Sequence, residues 1–402
     1  MTNVNALALT PQKKVIVGVQ FLFVAFGATV LVPLLVGLDP SVALFTAGLG
    51  TLIFHLVTKG MVPIFLGSSF AFIAPIQKAT ELYGLSGALC GAASVGLVYG
   101  LVSALIKWRG LELVKRLFPS SVYGPVIILI GISLAPVGVK MASSSWLLAL
   151  ISLSAAILSI VFGRGIIKLI PIFIGVIVGY IAAILTNAVD FTPITTASWI
   201  SIPNFVTPTF SWGAIAYLLP VAIAPVIEHV GDVYAIGTVA NKDFVKNPGL
   251  QRTMLGDGIA CTVAGLVGGP PATTYAEVTG AIALTRVFDP AVLRISAITA
   301  IAFAFLGKVN GFLKSIPEAV LGGIMLILFG IIASIGIKTM IEDKLNLSSS
   351  RNQIIVSLIL TVGVGGAVLN LGSFEMSGIG LAALVGVVLN LILPKEKHRD
   401  TK

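Results

Sequence analysis

Charge is scarce in this sequence. Lys, Arg, Asp and Glu make up 10% of its 402 residues, against about a quarter in a soluble domain. So long a chain with so little charge has no water-compatible coat for a folded core, so lipid must be its solvent. Cysteine is nearly absent. Cys90 and Cys261 sit in apolar stretches, make no disulfide framework and lack metal-ligand spacing. They read as small buried hydrophobes. The three histidines show no zinc pattern, and no phosphate-binding glycine loop occurs, so neither metal nor cofactor is expected. A concentrated basic patch is missing too. The net charge is +9, but the basic residues lie in short gaps between apolar runs, which argues against nucleic acid. The runs also lack two-residue alternation, which excludes a porin-type barrel.

What is present is apolar length. Hydrophobic residues reach 57% and the mean hydropathy is +1.06. A spanning helix needs about 20 mostly apolar residues. Candidates lie near 15–37, 41–58, 62–82, 85–106, 119–141, 146–162, 166–187, 214–239, 250–268, 272–288, 290–309, 316–338, 353–370 and 376–394. That predicts an all-α membrane protein of fourteen segments. With both termini in the cytoplasm, only Lys78, Lys140, Lys308 and Lys314 of the 25 basic residues fall outside, a strong positive-inside bias. Removing one segment would reverse every later gap and destroy that bias. The polar stretch Met1–Lys14 has no cleavage-site pattern, so the first segment is expected to be retained.

Segments three (Pro63 to Pro75) and ten (Pro270 to Gly280) are interrupted by Gly, Pro, Ser and Thr. Broken backbone survives at membrane depth only where protein or a wet cavity covers it. The two breaks resemble each other: Ser68-Ser69-Phe70-Ala71-Phe72 aligns with Thr273-Thr274-Tyr275-Ala276-Glu277. Pro119, Val122 and Gly124 likewise match Pro317, Val320 and Gly322 at a constant offset of 198. Both matches pair a segment with the seventh one after it. Seven is odd, so the halves would be inverted, as in secondary transporters with a midplane site.

Four acids lie inside apolar segments: Glu228, Asp232, Asp257 and Glu277. Each costs at least about 2.5–3.5 kcal/mol at bilayer depth. Glu228 and Asp232 are four apart and share a helix face, the arrangement a proton-coupled carrier needs. Asp257, between two glycines, reads either as a third coupling group or as part of a helix-locking network. His229 points about 100° away from Glu228 and reads as a hydrogen-bonding histidine. Glu277 stands where a half-helix begins, with unpaired backbone N–H groups near it. Phe70 and Tyr275, on the two breaks, offer flat faces or simply core packing. Donors, carboxylate acceptors and aromatic faces together suit a planar solute with N–H and C=O groups, such as a pyrimidine dione or an oxopurine.

Leu66-Gly67-Ser68-Ser69-Phe70-Ala71-Phe72, Glu228-His229-Val230-Gly231 and Thr273-Thr274-Tyr275-Ala276-Glu277, with Gly280 and Thr285-Arg286, resemble the nucleobase–cation symporters, and their uracil-transporting branch above all. The resemblance runs from Phe26-Gly27-Ala28-Thr29 to the last segment. It implies two inverted seven-span repeats with short extended stretches in spans three and ten. Residues 1–107 and 211–309 would form a core domain, and 108–210 and 310–402 a gate domain with a short cytoplasmic tail. It implies that Glu228 and Glu277 bind the base, that Phe70 and Ala276 give backbone amides, and that Ala28 lines the pocket. It implies proton symport by alternating access in a bacterial inner membrane, with a homodimer formed through the gate domains.

Three departures bear on coupling. Asp232 stands where the uracil branch usually has histidine. Val278-Thr279-Gly280 replaces an Asn-x-Gly signature, and Met325 and Phe329 replace a serine and a tyrosine. Asp232 keeps a sodium-coupled xanthine or purine carrier as the alternative. Sulfate and bicarbonate transporters share the expected architecture but usually lack the acid at the tenth span. An intramembrane aspartyl protease needs Gly-x-Gly-Asp, and Met254-Leu255-Gly256-Asp257 fails at its first position, so no enzyme is expected.

Overall fold

The computed structural model describes residues 10–371 and 374–394. The start of the expected cytoplasmic N-terminus and the tail 395–402 lie outside the described residues. Helix α1 (Pro11–Val36) starts on Thr10 and Pro11 and stops where Gly37 turns left-handed at φ 74°. Helix α2 (Pro40–Val57) starts on Asp39, whose carboxylate accepts from Ser41 N at 2.8 Å, with Pro40 in the first turn. These are ordinary start and stop signals. Next comes strand β1 (Leu66–Ser68), then α3 (Ile73–Arg109). Gly84 interrupts α3 at φ 72°, ψ 163°. The break falls in the gap expected between the third and fourth segments.

Helices α4 (Ser120–Ser143), α5 (Trp146–Phe162) and α6 (Pro171–Leu185) follow. After a long loop comes α7 (Trp212–Ala240), which has a tighter 3₁₀ turn at Leu219–Ala222. Then come α8 (Leu250–Leu266), strand β2 (Ala272–Thr274), α9 (Ala276–Thr285), α10 (Pro290–Ala304) and α11 (Glu318–Glu342). The described chain ends with α12 (Ser350–Val364), β3 (Val368–Leu371), β4 (Phe374–Ser377) and α13 (Gly378–Ile392). Six of these stretches are long and apolar enough to cross a membrane, and six more apolar helices are shorter. The protein is thus a mostly helical, multi-pass membrane protein.

The structure corrects one expected segment. The helix in 353–370 stops at Val364, and β3 pairs antiparallel with β4. Gly365 and Gly366, the latter at φ 66°, end the helix because glycine alone enters that conformation cheaply.

Helix α3 packs on α8, α2 on α8 and α10, α1 on α10, and α4 on α11. With lipid outside, such contacts rest on close van der Waals fit between small residues. Where α3 crosses α8, Gly96 and Gly258 face each other so tightly that a methyl on Gly96 would overlap the Gly258 carbonyl.

Candidate functional site

The two interrupted segments meet as a short antiparallel ladder: Leu66 opposes Thr274, Gly67 opposes Thr273 and Ser68 opposes Ala272. Ser69 N donates to Pro271 O at 2.9 Å and Tyr275 N to Phe65 O at 3.3 Å, extending the ladder at both ends. The half-helices that follow leave from opposite ends. Their first N–H groups lack intrahelical acceptors, so two donor-rich, electropositive ends lie about 10 Å apart across three strand residues.

Neighbouring helices satisfy the rest of the exposed backbone. On α2, Thr51 Oγ1 accepts from Leu66 N at 2.9 Å. On α8, Cys261 Sγ donates to Ala272 O at 3.1 Å. On α1, Thr29 O accepts from Ser68 Oγ at 2.9 Å. This is why polar, broken backbone is tolerated here.

Two residues expected to line a pocket are covered instead: Ala28 is 2% and Tyr275 4% exposed. Tyr275 turns inward because its hydroxyl donates to Ser68 O at 2.9 Å, beside Thr29 Oγ1 at 3.5 Å. Its ring lies against Gly67, where any Cβ would overlap it. Tyr275 therefore braces the two breaks. Phe70 is half-buried, whereas Ala276 and Glu277 are exposed at the start of α9.

Glu228 is likewise exposed, and Asp232 is 8% exposed. Both line a cavity of about 700 Å³ whose other wall includes Pro119, Tyr123, Thr339, Glu342 and Asp343. Within that wall, Tyr123 donates to Asp343 Oδ2 at 2.8 Å. Helix α9 packs against α7, so Glu228, Asp232 and Glu277 lie within one another's electrostatic reach. No lysine or arginine lines this cavity among the described residues. Asp232 Oδ2 accepts a short hydrogen bond from Thr274 Oγ1 in β2. The sequence carried one signal for Thr274, a hydroxyl in a broken segment, but gave no partner for it.

Asp257 does not join that cavity. It lies behind α7, where His229 Nδ1 is 2.8 Å from Asp257 Oδ2 and both side chains are fully buried. His229 Nε2 is 3.0 Å from Thr253 Oγ1. The histidine thus faces away from its neighbour Glu228, as the 100° helical step requires. Thr253 had no signal of its own, being one of many hydroxyls in apolar helices. Met325 and Phe329 are 0% and 1% exposed and pack against Gly138 of α4. They extend no polar path from α11 toward Asp232.

A model of the Permease family matches residues 12–372. The chain belongs to this family, that of the nucleobase–cation symporters. The permease is 49% identical over 395 residues to a probable uracil permease of Haemophilus influenzae, covering 96% of this chain and 95% of that protein. It is 45% identical to the uracil permease of Bacillus caldolyticus, with 96% and 93% covered. It is 39% identical to the uracil permease of Escherichia coli, with 93% and 89% covered. Among solved structures, the transmembrane domain of the cyanobacterial bicarbonate transporter BicA is 15% identical, with a TM-score of 0.63 over 94% of this chain and 97% of that one. The murine anion transporter Slc26a9 in its inward-facing state is 11% identical, with a TM-score of 0.69 over 96% and 68%. At such identities these two show a common fold and nothing of the solute.

Proposed function

We propose that the permease imports a nucleobase, uracil first, together with a proton. The observation that carries this reading is one cavity bounded by Glu228 and Asp232 beside two crossing half-helices. A planar base offers N–H groups to carboxylates and C=O groups to backbone N–H donors, and the site has both kinds of partner. The lack of a lining lysine or arginine argues against a bare inorganic anion. The uracil permeases to which the chain is similar agree with uracil. On this reading Glu228 and Glu277 hold the base edge. Phe70 and Ala276 present backbone amides, and Ala28 and Tyr275 back the pocket from beneath.

The coupling proton would sit on the Glu228–Asp232 pair. Two carboxylates four residues apart on one helix repel when both are ionised. One added proton relieves that repulsion and lowers the charge that must pass the apolar barrier. Thr274, hydrogen-bonded to Asp232, moves with the same ladder that positions the half-helices.

We read the architecture as fourteen segments in two inverted repeats. Dividing α3 at Gly84 and counting the two half-helices with their strands supports that number. An antiparallel ladder between equivalent breaks is what a twofold axis in the membrane plane would generate. Spans 1–4 and 8–11 would move as a core against a gate of spans 5–7 and 12–14. The cavity opens beside Pro119 and Asp343, next to gaps rich in Lys and Arg, so we read the state as inward-facing. Phe26, Phe173 and Leu321 line an apolar seam elsewhere between α1, α6 and α11, which we read as the closed outer side. A bacterial inner membrane, cytoplasmic termini and a homodimer through the gate domains complete the proposal.

Uptake of labelled uracil into proteoliposomes under an imposed pH gradient tests it. Gradient-dependent uptake is expected, and Glu228→Gln is expected to lower it at least about tenfold, the loss of one charge-assisted hydrogen bond. Uptake indifferent to the gradient removes the coupling. The alternative, a xanthine or purine carrier driven by sodium, is favoured by Asp232 alone. A ligand that binds only the folded state raises its melting temperature, so stabilisation by xanthine with sodium but not by uracil would select it.

A further inference from the structure

Behind the cavity, one hydroxyl determines where a proton sits. Thr253 Oγ1 donates to Leu250 O at 3.0 Å, so its single hydrogen is committed. His229 Nε2 lies 3.0 Å from that same oxygen, and this contact is a hydrogen bond only if Nε2 carries the hydrogen. His229 Nδ1 then shares one proton with Asp257 Oδ2 across 2.8 Å. Two arrangements satisfy the bond: a carboxylic acid donating to a neutral imidazole, or a carboxylate beside an imidazolium. Either way the pair has no net charge.

The other oxygen of Asp257 decides between them. Asp257 Oδ1 is buried and has no hydrogen-bond partner among the described residues. In a carboxylate that atom would carry half a negative charge with nothing to stabilise it. In a carboxylic acid it is only a carbonyl. Orphaning a buried group is far more costly when the group is charged.

The surroundings add no compensation. Tyr99 of α3 stands edge-on to His229 with centroids 6.4 Å apart, and its buried hydroxyl makes no hydrogen bond to Asp257. Phe54 of α2 packs at 6.3 Å. Thr273 of β2 and Cys261 of α8 are the nearby neutral groups, and the carboxyl groups on the adjoining elements α7 and α9 are those of Glu228, Asp232 and Glu277. His229 is the only ion-pair partner of Asp257 among the described residues.

We infer that Asp257 is held as a neutral acid with its proton directed at His229 Nδ1, and that Thr253 sets the imidazole tautomer. Thr253 and Asp257 are positioning residues. Through His229 they lock α7 onto α8 and fix the rotation of the helix that presents Glu228 and Asp232 to the cavity. The proton of Asp257 is structural and is not transported. This last statement rests on the proton-symport reading and narrows it, because it leaves Glu228, Asp232 and Glu277 as the acids able to carry the coupled proton.

Infrared spectra of the full chain in lipid, near neutral pH, test the protonation directly. Asp257→Asn is expected to lose one protonated-carboxyl C=O band. Thr253→Val is expected to shift that band, and Thr253→Ser to restore it. If Asp257→Asn removes no such band, Asp257 is ionised and the inference fails. Should that variant not fold, the nitrogen-15 resonances of His229 in the unsubstituted protein give the same answer. A neutral ring protonated at Nε2 is expected, and an imidazolium overturns it.

Transport gives the second arm. An asparagine N–H can take over donation to Nδ1, so Asp257→Asn is expected to keep an unchanged ratio of uracil uptake with and without the pH gradient. A ratio reduced to one, in a variant that uracil still stabilises, would make Asp257 the coupling group. If instead the unsubstituted protein ignores the gradient, the symport reading fails while the infrared result stands.

Discussion

At the scale of single residues, the acids of this permease divide by what they touch. Glu228 and Glu277 are exposed, Glu228 to the cavity, whereas Asp257 is sealed against His229. Asp232 lies between these extremes, nearly buried and bonded to Thr274. That hydroxyl is the direct link between the acid pair and the broken backbone. Thr274→Val keeps the shape but leaves Asp232 without this donor. A hydrogen bond to a charged group is worth about 1.5–3 kcal/mol, so gradient-driven kcat/KM is expected to fall about tenfold or more, while Thr274→Ser stays close to the unsubstituted value. Uptake assays on the three proteins check it, and equal loss in Val and Ser variants would assign Thr274 a packing role. The acids themselves were legible in the sequence because an ionisable group in an apolar run is an anomaly of composition. Thr253 was not, because a threonine in a membrane helix can bond its own backbone and needs no partner elsewhere, and Thr274 stood out only as a hydroxyl in a broken segment, with nothing to name its partner.

At the scale of elements, the interrupted segments define the site. Runs of Gly, Pro, Ser and Thr at 63–75 and 270–280 marked both breaks in the sequence. They could not give the register, since a three-residue strand carries too little hydrophobic pattern to specify one. The register follows from what surrounds it: Tyr275 reaching Ser68, Thr51 holding Leu66 and Cys261 holding Ala272. Gly84 performs a different task, turning the first half-helix into the long second part of α3. Its φ of 72° with ψ of 163° is open essentially to glycine alone, and other residues there cost about 1–3 kcal/mol. Space is not the obstacle, as nothing lies within 4 Å of a Cβ at that position. Gly84→Ala is therefore expected to lower thermal stability through backbone strain alone. A melting temperature equal to that of the unsubstituted protein would count against the kink.

At the scale of the molecule, ties between distant segments set how helices group. Lys14, at the start of α1, lies 2.6 Å from Asp289, which also caps α10 by accepting from Ala291 N at 2.9 Å. Partial burial pushes the Asp289 carboxyl up. The bond to Lys14, the Ala291 N–H and the charges of Lys14 and Arg294 pull it down further, so it lies below its ordinary value. A depressed folded value makes the ionised form the stabilising one. The contribution is complete above the unfolded value of about 3.9 and is lost as pH falls through the folded value. Both side chains are about one-third exposed, and solvent screening leaves about 0.2–1 kcal/mol. Asp289→Asn retains the capping oxygen and removes the charge. Its melting temperature is expected to lie below that of the unsubstituted protein at neutral pH and to converge with it in acid or high salt. A gap that persists in acid would locate the effect in the cap.

The sequence by itself determined the solvent, the helical class, the two breaks and the acids. Each follows from composition along the chain: charge too sparse for a water-facing coat, apolar runs of spanning length, and polar residues that interrupt them. Only the tertiary structure decided which acids meet. Residues 28, 42 or 207 positions apart are joined by helix packing, which local pattern does not encode. It separated Asp257 from the cavity, turned Tyr275 into a brace and gave Asp232 its threonine. The physical reason is the same in each case. A buried polar atom is stabilised by a partner, and the fold alone determines which partners are within reach.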